Sequence, residues 1–353
     1  MKKLLCAVLA LLLLTGCSSS GAQASVPEAS DSTTRHVEAM DTIMSLTAYG
    51  SNRQAALDAA EEEIQRLDSL LSTGKPDSEI SRLNQSGTLS LSEDTKALVN
   101  GAFALNKETN GAFDVTIYPL MELWGFPKKE YHLPNQQELS EALALVGMDR
   151  IKYDAQTGTL TLDQGQKIDL GGIGKGYTSQ RVMEIFRQAG VTSGMVSLGG
   201  NVQCLGTKPD GSLWRIGIQA PWEEEGEIAA VVEIADQAVI TSGGYERYFV
   251  DNTTGETYCH ILDPKSGYPV KSDLSSVSIV SSDGMLADGL STSLYLMGLE
   301  GAQAYWRAHS TQFQAILIDN EGKLYVTDGL RDAVQADKGF TVIFQSVGKM
   351  LEQ

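Results

Sequence analysis

The stretch that most restricts how this chain can fold is Ile168 to Val182, IDLGGIGKGYTSQRV, where four glycines crowd the approach to a helical pattern. Upstream, Thr159 to Leu162 and Ile168 to Leu170 have β character. Downstream, Val182, Ile185 and Phe186 recur at one-face helical spacing, and Gly190 is placed to stop the helix. Gly171, Gly172, Gly174 and Gly176 are therefore expected to form a loop between strand and helix. Such a loop can turn backbone N–H groups toward an anion, and the helix N-terminus adds its partial positive charge. Lys175 stands inside it as a point charge. Neither familiar phosphate fingerprint fits. Gly176 follows Lys175 where a Walker loop needs Ser or Thr, and the glycine spacing is wrong for a dinucleotide motif. A phosphate cradle and a tight turn between closely packed helix and sheet both stay open at this point.

The start of the chain is not part of the fold. Lys2 and Lys3 precede an apolar run, Leu4 to Leu14, that is short for a bilayer span and has signal-peptide proportions. It ends in Leu14-Thr15-Gly16-Cys17, which resembles a bacterial lipoprotein signal, a class in which the cysteine becomes the lipidated first residue. Residues 1–16 are expected to be that signal and 17–35, rich in Ser, Ala and Gly, a flexible tether after lipidated Cys17. Residues 36–353 are then one large domain. The domain is thus expected in the cell envelope, on the extracytoplasmic side, anchored to the membrane by lipid. Removing Lys2 and Lys3 takes the formal charge from −18 to −20. That excludes nucleic acid and acidic lipid as general partners, so an anionic ligand needs a locally positive site or a metal. Cys204 and Cys259 are either one disulfide or two buried thiols, and no Cys/His cluster has metal-site spacing.

Val37 to Tyr49 is β-like, with Met40-Asp41-Thr42 near its start. Asn52 to Ser72 reads as a helix with Ala56, Ala59, Ala60, Ile64, Leu67, Leu70 and Leu71 on its apolar side. Thr95 to Lys107 and Asn135 to Val146 are further helices, and Ile151 to Leu162 is a hairpin. Short β runs follow from Gly194 to Val280. Helices over Leu286 to Met297 and around Ala302 to Ala308 precede strands at Ala315 to Ile318 and Lys323 to Val326. Helices come in blocks and strands in runs, which predicts α+β with mainly antiparallel sheet rather than a regular βαβ array.

Four other constellations carry chemistry. Asp288 and Thr292 are four apart on a helix, with Ser291 between, so a carboxylate and hydroxyls share a face suited to Mg²⁺ held together with a substrate phosphate; alternatively Asp288 caps the helix. His260 closes a strand before the turn-rich Asp263 to Pro269 and is a candidate base. Thr241 to Tyr248 is a polar glycine turn flanked by aromatics that could stack a planar ring or merely connect a hairpin. Gly199-Gly200-Asn201 is another close-approach loop. No Ser or Cys has a nucleophile-elbow context. Together these features suggest a nucleotide-like ligand and metal-assisted phosphoryl chemistry.

Seven motifs occur in a family's order. They are Met40-Asp41-Thr42; Phe113-Asp114-Val115-Thr116 with Pro119-Leu120 and Leu123-Trp124-Gly125-Phe126; Asp169 to Tyr177; Gly199-Gly200-Asn201; Thr241-Ser242-Gly243; His260 to Pro264; and Ala287 to Thr292. In this the chain resembles the ApbE family of FAD:protein FMN transferases, often lipoproteins, from about Met40 to beyond Gly298. The resemblance implies a T-fold-like α+β enzyme that binds FAD and Mg²⁺. It would transfer FMN through a phosphoester bond to a Thr or Ser hydroxyl of an acceptor protein, releasing AMP.

By the same resemblance, flavin-binding positions fall on Met40, Ala112, Phe113, Asp114, Gly171, Tyr177 and Leu262, with Lys175 beside them. Metal positions fall on the Gly174 carbonyl, Asp288 and Thr292, with Ser291 adjacent, and His260 takes the place of the catalytic histidine. The family's acceptors are flavin-carrying subunits of redox pumps and extracellular reductases. An Mg²⁺-dependent FAD pyrophosphatase and a non-catalytic FAD-binding lipoprotein are the competing readings. A solute-binding lipoprotein is disfavoured, since the chain lacks two repeated βα halves.

Overall fold

Alternating burial builds an antiparallel hairpin from β1 (Ser32–Ala39) and β2 (Thr42–Tyr49) in the computed structural model, which describes residues 31–221 and 226–347. The expected signal segment and Cys17 lie outside the described residues. Ser32 to Arg35, expected in the tether, belong to β1. The single β run expected over Val37 to Tyr49 is broken at Met40 and Asp41, which turn with φ of 51° and 59°. Non-glycine residues adopt that conformation at a cost of about 1 kcal/mol or more each. Asp68 holds the turn by accepting the Met40 N–H at 3.0 Å.

Helix α1 (Arg53–Leu71) buries Ala56, Ala60, Ile64 and Leu67, while Ala59 faces solvent. Then come α2 (Glu79–Ser86), β3 (Thr88–Ser90), α3 (Glu93–Glu108), α4 (Tyr118–Trp124) and α5 (Gln136–Leu143). Helix α5 begins with a reciprocal capping box between Asn135 and Glu138. Strands β4 (Lys152–Asp154) and β5 (Thr159–Thr161) make the expected hairpin.

The glycine stretch corrects its own prediction. It is not a loop, and no strand covers 168–170; α6 (Gly171–Gln188) is helical from its first glycine. The reason is tertiary. A Cβ at Gly176 would lie 2.1 Å from the Gly284 carbonyl oxygen and 2.6 Å from the Asp288 Cβ, so the glycine lets two helix backbones touch.

Strands β6 (Gly194–Leu198) and β7 (Asn201–Leu205) form a hairpin, followed by β8 (Trp214–Gln219), β9 (Ile228–Ile234), β10 (Ala238–Gly243), β11 (Tyr248–Val250), β12 (Thr257–Cys259) and β13 (Leu274–Ser281). Helix α7 (Gly284–His309) is kinked at Gly298, which accounts for the two helices expected there. Strands β14 (Gln314–Asp319), β15 (Lys323–Thr327), β16 (Val334–Ala336) and β17 (Thr341–Gln345) complete the described chain.

Nine strands form one sheet, ordered β1-β2-β6-β7-β10-β13-β14-β15-β17, with β15 and β17 its parallel pair. Side-chain alternation assigns its two faces. Ile240 and Ile279 join α1, α3, α6 and α7 in the helical core, whereas Val239 and Val280 pack under the small sheet β16-β9-β8. The α+β, mainly antiparallel, single-domain expectation holds. Cys204 and Cys259 are buried and unpaired, which settles the disulfide alternative.

Candidate active site

The turn after β1, the ends of α1 and β10, the starts of α6 and β7, the segment after β12 and the second turn of α7 surround one cavity of about 410 Å³. Met40, Ala112, Phe113, Asp114, Gly171, Gly174, Lys175, His260, Leu262, Asp288 and Thr292 all line it. Tyr177 and Ser291 do not. The Tyr177 hydroxyl donates to Asp94 at 2.6 Å. Ser291 is buried behind the wall, where its hydroxyl donates to the Asp288 carbonyl at 2.7 Å and meets the Ser242 hydroxyl at 2.8 Å. Of the aromatics expected to stack a ring, Tyr245 and Tyr248 are outside the lining, and Phe113 is the aromatic wall, its ring lying against Gly172.

Asp288 is not the helix cap. Asp283 caps α7 by accepting the Leu286 N–H at 2.9 Å. Asp288, one turn further in and only 5 % exposed, accepts the Gly176 N–H on Oδ2 at 2.8 Å and the Asn201 amide on Oδ1 at 2.9 Å. Burial pushes its carboxyl up from the usual range, opposed by the Lys175 charge and these hydrogen bonds. Thr292 follows one turn later, 3.3 Å from the Ser242 hydroxyl. The Gly174 carbonyl, inside the first turns of α6, accepts the Thr178 hydroxyl at 2.7 Å. Carboxylate, hydroxyl and carbonyl make an all-oxygen donor set suited to a hard divalent cation. Among the described residues no three His, Cys, Asp or Glu side chains are grouped to hold a metal, so a cation here would complete its shell with substrate oxygens and water.

His260 is held from the neighbouring strand. Its backbone N–H donates to the Arg247 carbonyl at 2.9 Å, and its Nδ1 lies 3.1 Å from the same oxygen. A carbonyl only accepts, so Nδ1 carries the proton and Nε2 keeps its lone pair. Burial, with the Arg247 and Lys175 charges, pulls the imidazole pKa down to about 4. The ring is therefore neutral, and ready to accept a proton, at neutral and mildly acidic pH.

Several lining residues had no role assigned from sequence. Asp68 was detectable as a carboxylate on the apolar face of α1, next to Leu67; it pairs with Lys75. In the sequence Glu246 belongs only to a polar glycine turn. Burial, helped by Asp288 and opposed by Lys175, pushes its carboxyl up to about 7. Arg247 donates to the Phe126 carbonyl at 2.6 Å. Asp169, raised by burial, accepts the Gly171 N–H at 2.8 Å.

The model of the ApbE family matches residues 40–317. The FAD:protein FMN transferase of Haemophilus influenzae is 33% identical over 315 residues, 86% of this chain and 89% of the relative. That of Vibrio cholerae is 32% identical over 91% of this chain and 96% of its own length. Among solved structures, the ApbE protein of Thermotoga maritima aligns with a TM-score of 0.78 at 28% identity, covering 88% of this chain and 98% of the other. The flavin transferase ApbE of Vibrio cholerae aligns at 0.76 and 28% identity over 86% and 99%. A family match across residues 40–317 spans every element that lines the cavity, and the chain belongs to the ApbE family.

Proposed function

We propose that this protein is an Mg²⁺-dependent FAD:protein FMN transferase that attaches FMN to a Thr or Ser hydroxyl of an acceptor protein. The observation that carries the reading is one cavity holding both a neutral His260 with Nε2 available and the oxygen set of Gly174, Asp288 and Thr292. Bound there, Mg²⁺ would neutralise charge on the FAD pyrophosphate. Lys175 adds a fixed positive charge beside it. His260 Nε2 takes the proton of the acceptor hydroxyl as its oxygen attacks the FMN-side phosphorus. A phosphoester bond forms, the bond to the bridging oxygen breaks, and AMP leaves with that oxygen. Phe113 offers an apolar face for a planar ring, and Met40, its N–H held by Asp68, also lines the cavity.

The relatives' names support the transfer activity, and the family resemblance supports acceptors that are flavin-carrying subunits of redox pumps or extracellular reductases. The signal-like start supports lipid anchoring through Cys17 on the extracytoplasmic side. Retention of the full chain in the membrane fraction should be lost in Cys17→Ser; unchanged retention would remove the anchor.

The activity is tested by incubating the protein with FAD, Mg²⁺ and an acceptor domain that a known transferase modifies. Intact mass and AMP are then read together. One added FMN per acceptor with matching AMP supports transfer; AMP and free FMN with an unmodified acceptor point to the pyrophosphatase, and bound FAD without AMP to a carrier. His260→Gln should retain FAD binding and transfer about 10²–10⁴-fold more slowly. Because burial disfavours the imidazolium, the proton should leave His260 near pH 4 rather than 6.5, checked by NMR titration against the Gln variant. Titration at the ordinary value would contradict the enclosed site.

A further inference from the structure

We propose that Asn201 is a positioning residue for the cation end of the cavity, holding the Asp288 carboxylate in the one orientation that binds a divalent metal. The proposal rests on the reading of Asp288 as a cation ligand. Asn201 is only 3 % exposed yet lines the cavity beside Asp288. Its backbone is set by a two-glycine turn: Gly199 and Gly200 have φ of 61° and 93°. A Cβ on Gly199 would fall 2.5 Å from the Thr42 hydroxyl, so the turn is seated on β2. Asn201 is thus the first residue of β7, facing Leu198 across the hairpin, with little freedom to move.

The chemistry of the contact is specific. A carboxylate oxygen can only accept, so the Asn201 amide nitrogen is the atom 2.9 Å from Asp288 Oδ1. On the other side the Gly176 N–H reaches Oδ2 at 2.8 Å. Neutral donors on both oxygens, with the Lys175 backbone N–H beside them, resist rotation of the carboxylate without cancelling its charge. A Lys or Arg in place of Asn201 would hold the group equally well but cancel its charge and compete with the cation. An amide orients without neutralising. Among the described residues no donor reaches Asn201 Oδ1, which leaves that oxygen for a metal-bound water or a substrate hydroxyl.

Mn²⁺ is the probe, with free ion followed by electron paramagnetic resonance on the full chain. Wild type should bind Mn²⁺, and Asn201→Ala should bind it about 10–100-fold more weakly. In the transfer assay, the Mg²⁺ concentration for half-maximal rate should rise by the same factor, while kcat recovers at saturating Mg²⁺. A merely structural residue would lower Tm and the folded fraction without changing the Mn²⁺ Kd of what remains folded. Asn201→Leu, of similar volume but without a donor, serves if the Ala variant does not fold. Equal Mn²⁺ affinity in wild type and variant overturns the role of Asn201 alone. Absence of Mn²⁺ binding in wild type, or unchanged binding in Asp288→Asn, overturns the cation reading beneath it as well.

Discussion

Asp288→Asn is expected to slow FMN transfer about 10³-fold or more and to weaken divalent-cation binding in step, with the fold retained. Asp288 is the one carboxylate among the proposed ligands Gly174, Asp288 and Thr292, so an amide removes the formal negative charge that this set brings to the metal. Losing roughly 4 kcal/mol of transition-state stabilisation corresponds to that factor at about 1.36 kcal/mol per tenfold. Stability should move little, for two opposing reasons. An amide can no longer accept on both sides from Gly176 N–H and Asn201 Nδ2, with the Lys175 N–H also at the carboxylate, so a donor is left unsatisfied at about 1–3 kcal/mol. Against this, burial raises the Asp288 pKa. A carboxyl whose folded pKa is raised contributes stability at low pH and loses it as pH rises through the folded value, so ionised Asp288 is a burden at neutral pH that the Asn variant lacks. Mg²⁺ should raise the wild-type Tm and leave that of Asp288→Asn unchanged. Near-normal turnover with ordinary Mg²⁺ dependence in the variant would remove Asp288 from the site.

Gly176→Ala should destabilise the protein by about 3 kcal/mol, although in an isolated helix the same change stabilises by about 1 kcal/mol. The opposite signs make it a clean test. The added methyl would meet the Gly284 carbonyl oxygen at 2.1 Å and the Asp288 Cβ at 2.6 Å, both on α7, where no flexible side-chain end can yield. Helices α6 and α7 must separate, and the Gly176 N–H is then withdrawn from Asp288. Activity should fall about 10²-fold even in the folded fraction, as expected for a ligand that loses its orienting partner. Gly174→Ala is the control, since a Cβ there meets nothing within 4 Å. Urea unfolding of the two variants checks both. A Gly176→Ala protein as stable as wild type would mean that the helix contact is slack.

The elements with strong local signals were legible. The short β runs expected from Gly194 to Val280 appear as β6 to β13, because alternation and flanking turn residues act over neighbours in sequence. Asn135 and Glu138 announce α5 by the capping box alone. Strands β3 and β16 were not among the expected elements, whereas β12 is the strand that His260 closes. The half-buried β17 was likewise not expected.

The site divides in the same way. Seven ordered motifs carried the family, the histidine, the carboxylate and the proposed oxygen ligands, and eleven of the thirteen residues expected within the described chain line one cavity. The sequence by itself therefore determined most of the elements, which family the chain belongs to, and which residue types are available for chemistry. Only the tertiary structure decided what the glycines do, which aspartate caps α7, which nitrogen of His260 is free, and that Asp68, Glu246 and Asn201 belong to the site. The reason is range. Helix and strand propensities are set within about four residues, whereas Gly176 reaches Asp288 across 112 positions and Asn201 across 87. Close approach and burial of charge exist only once those distant segments are packed together.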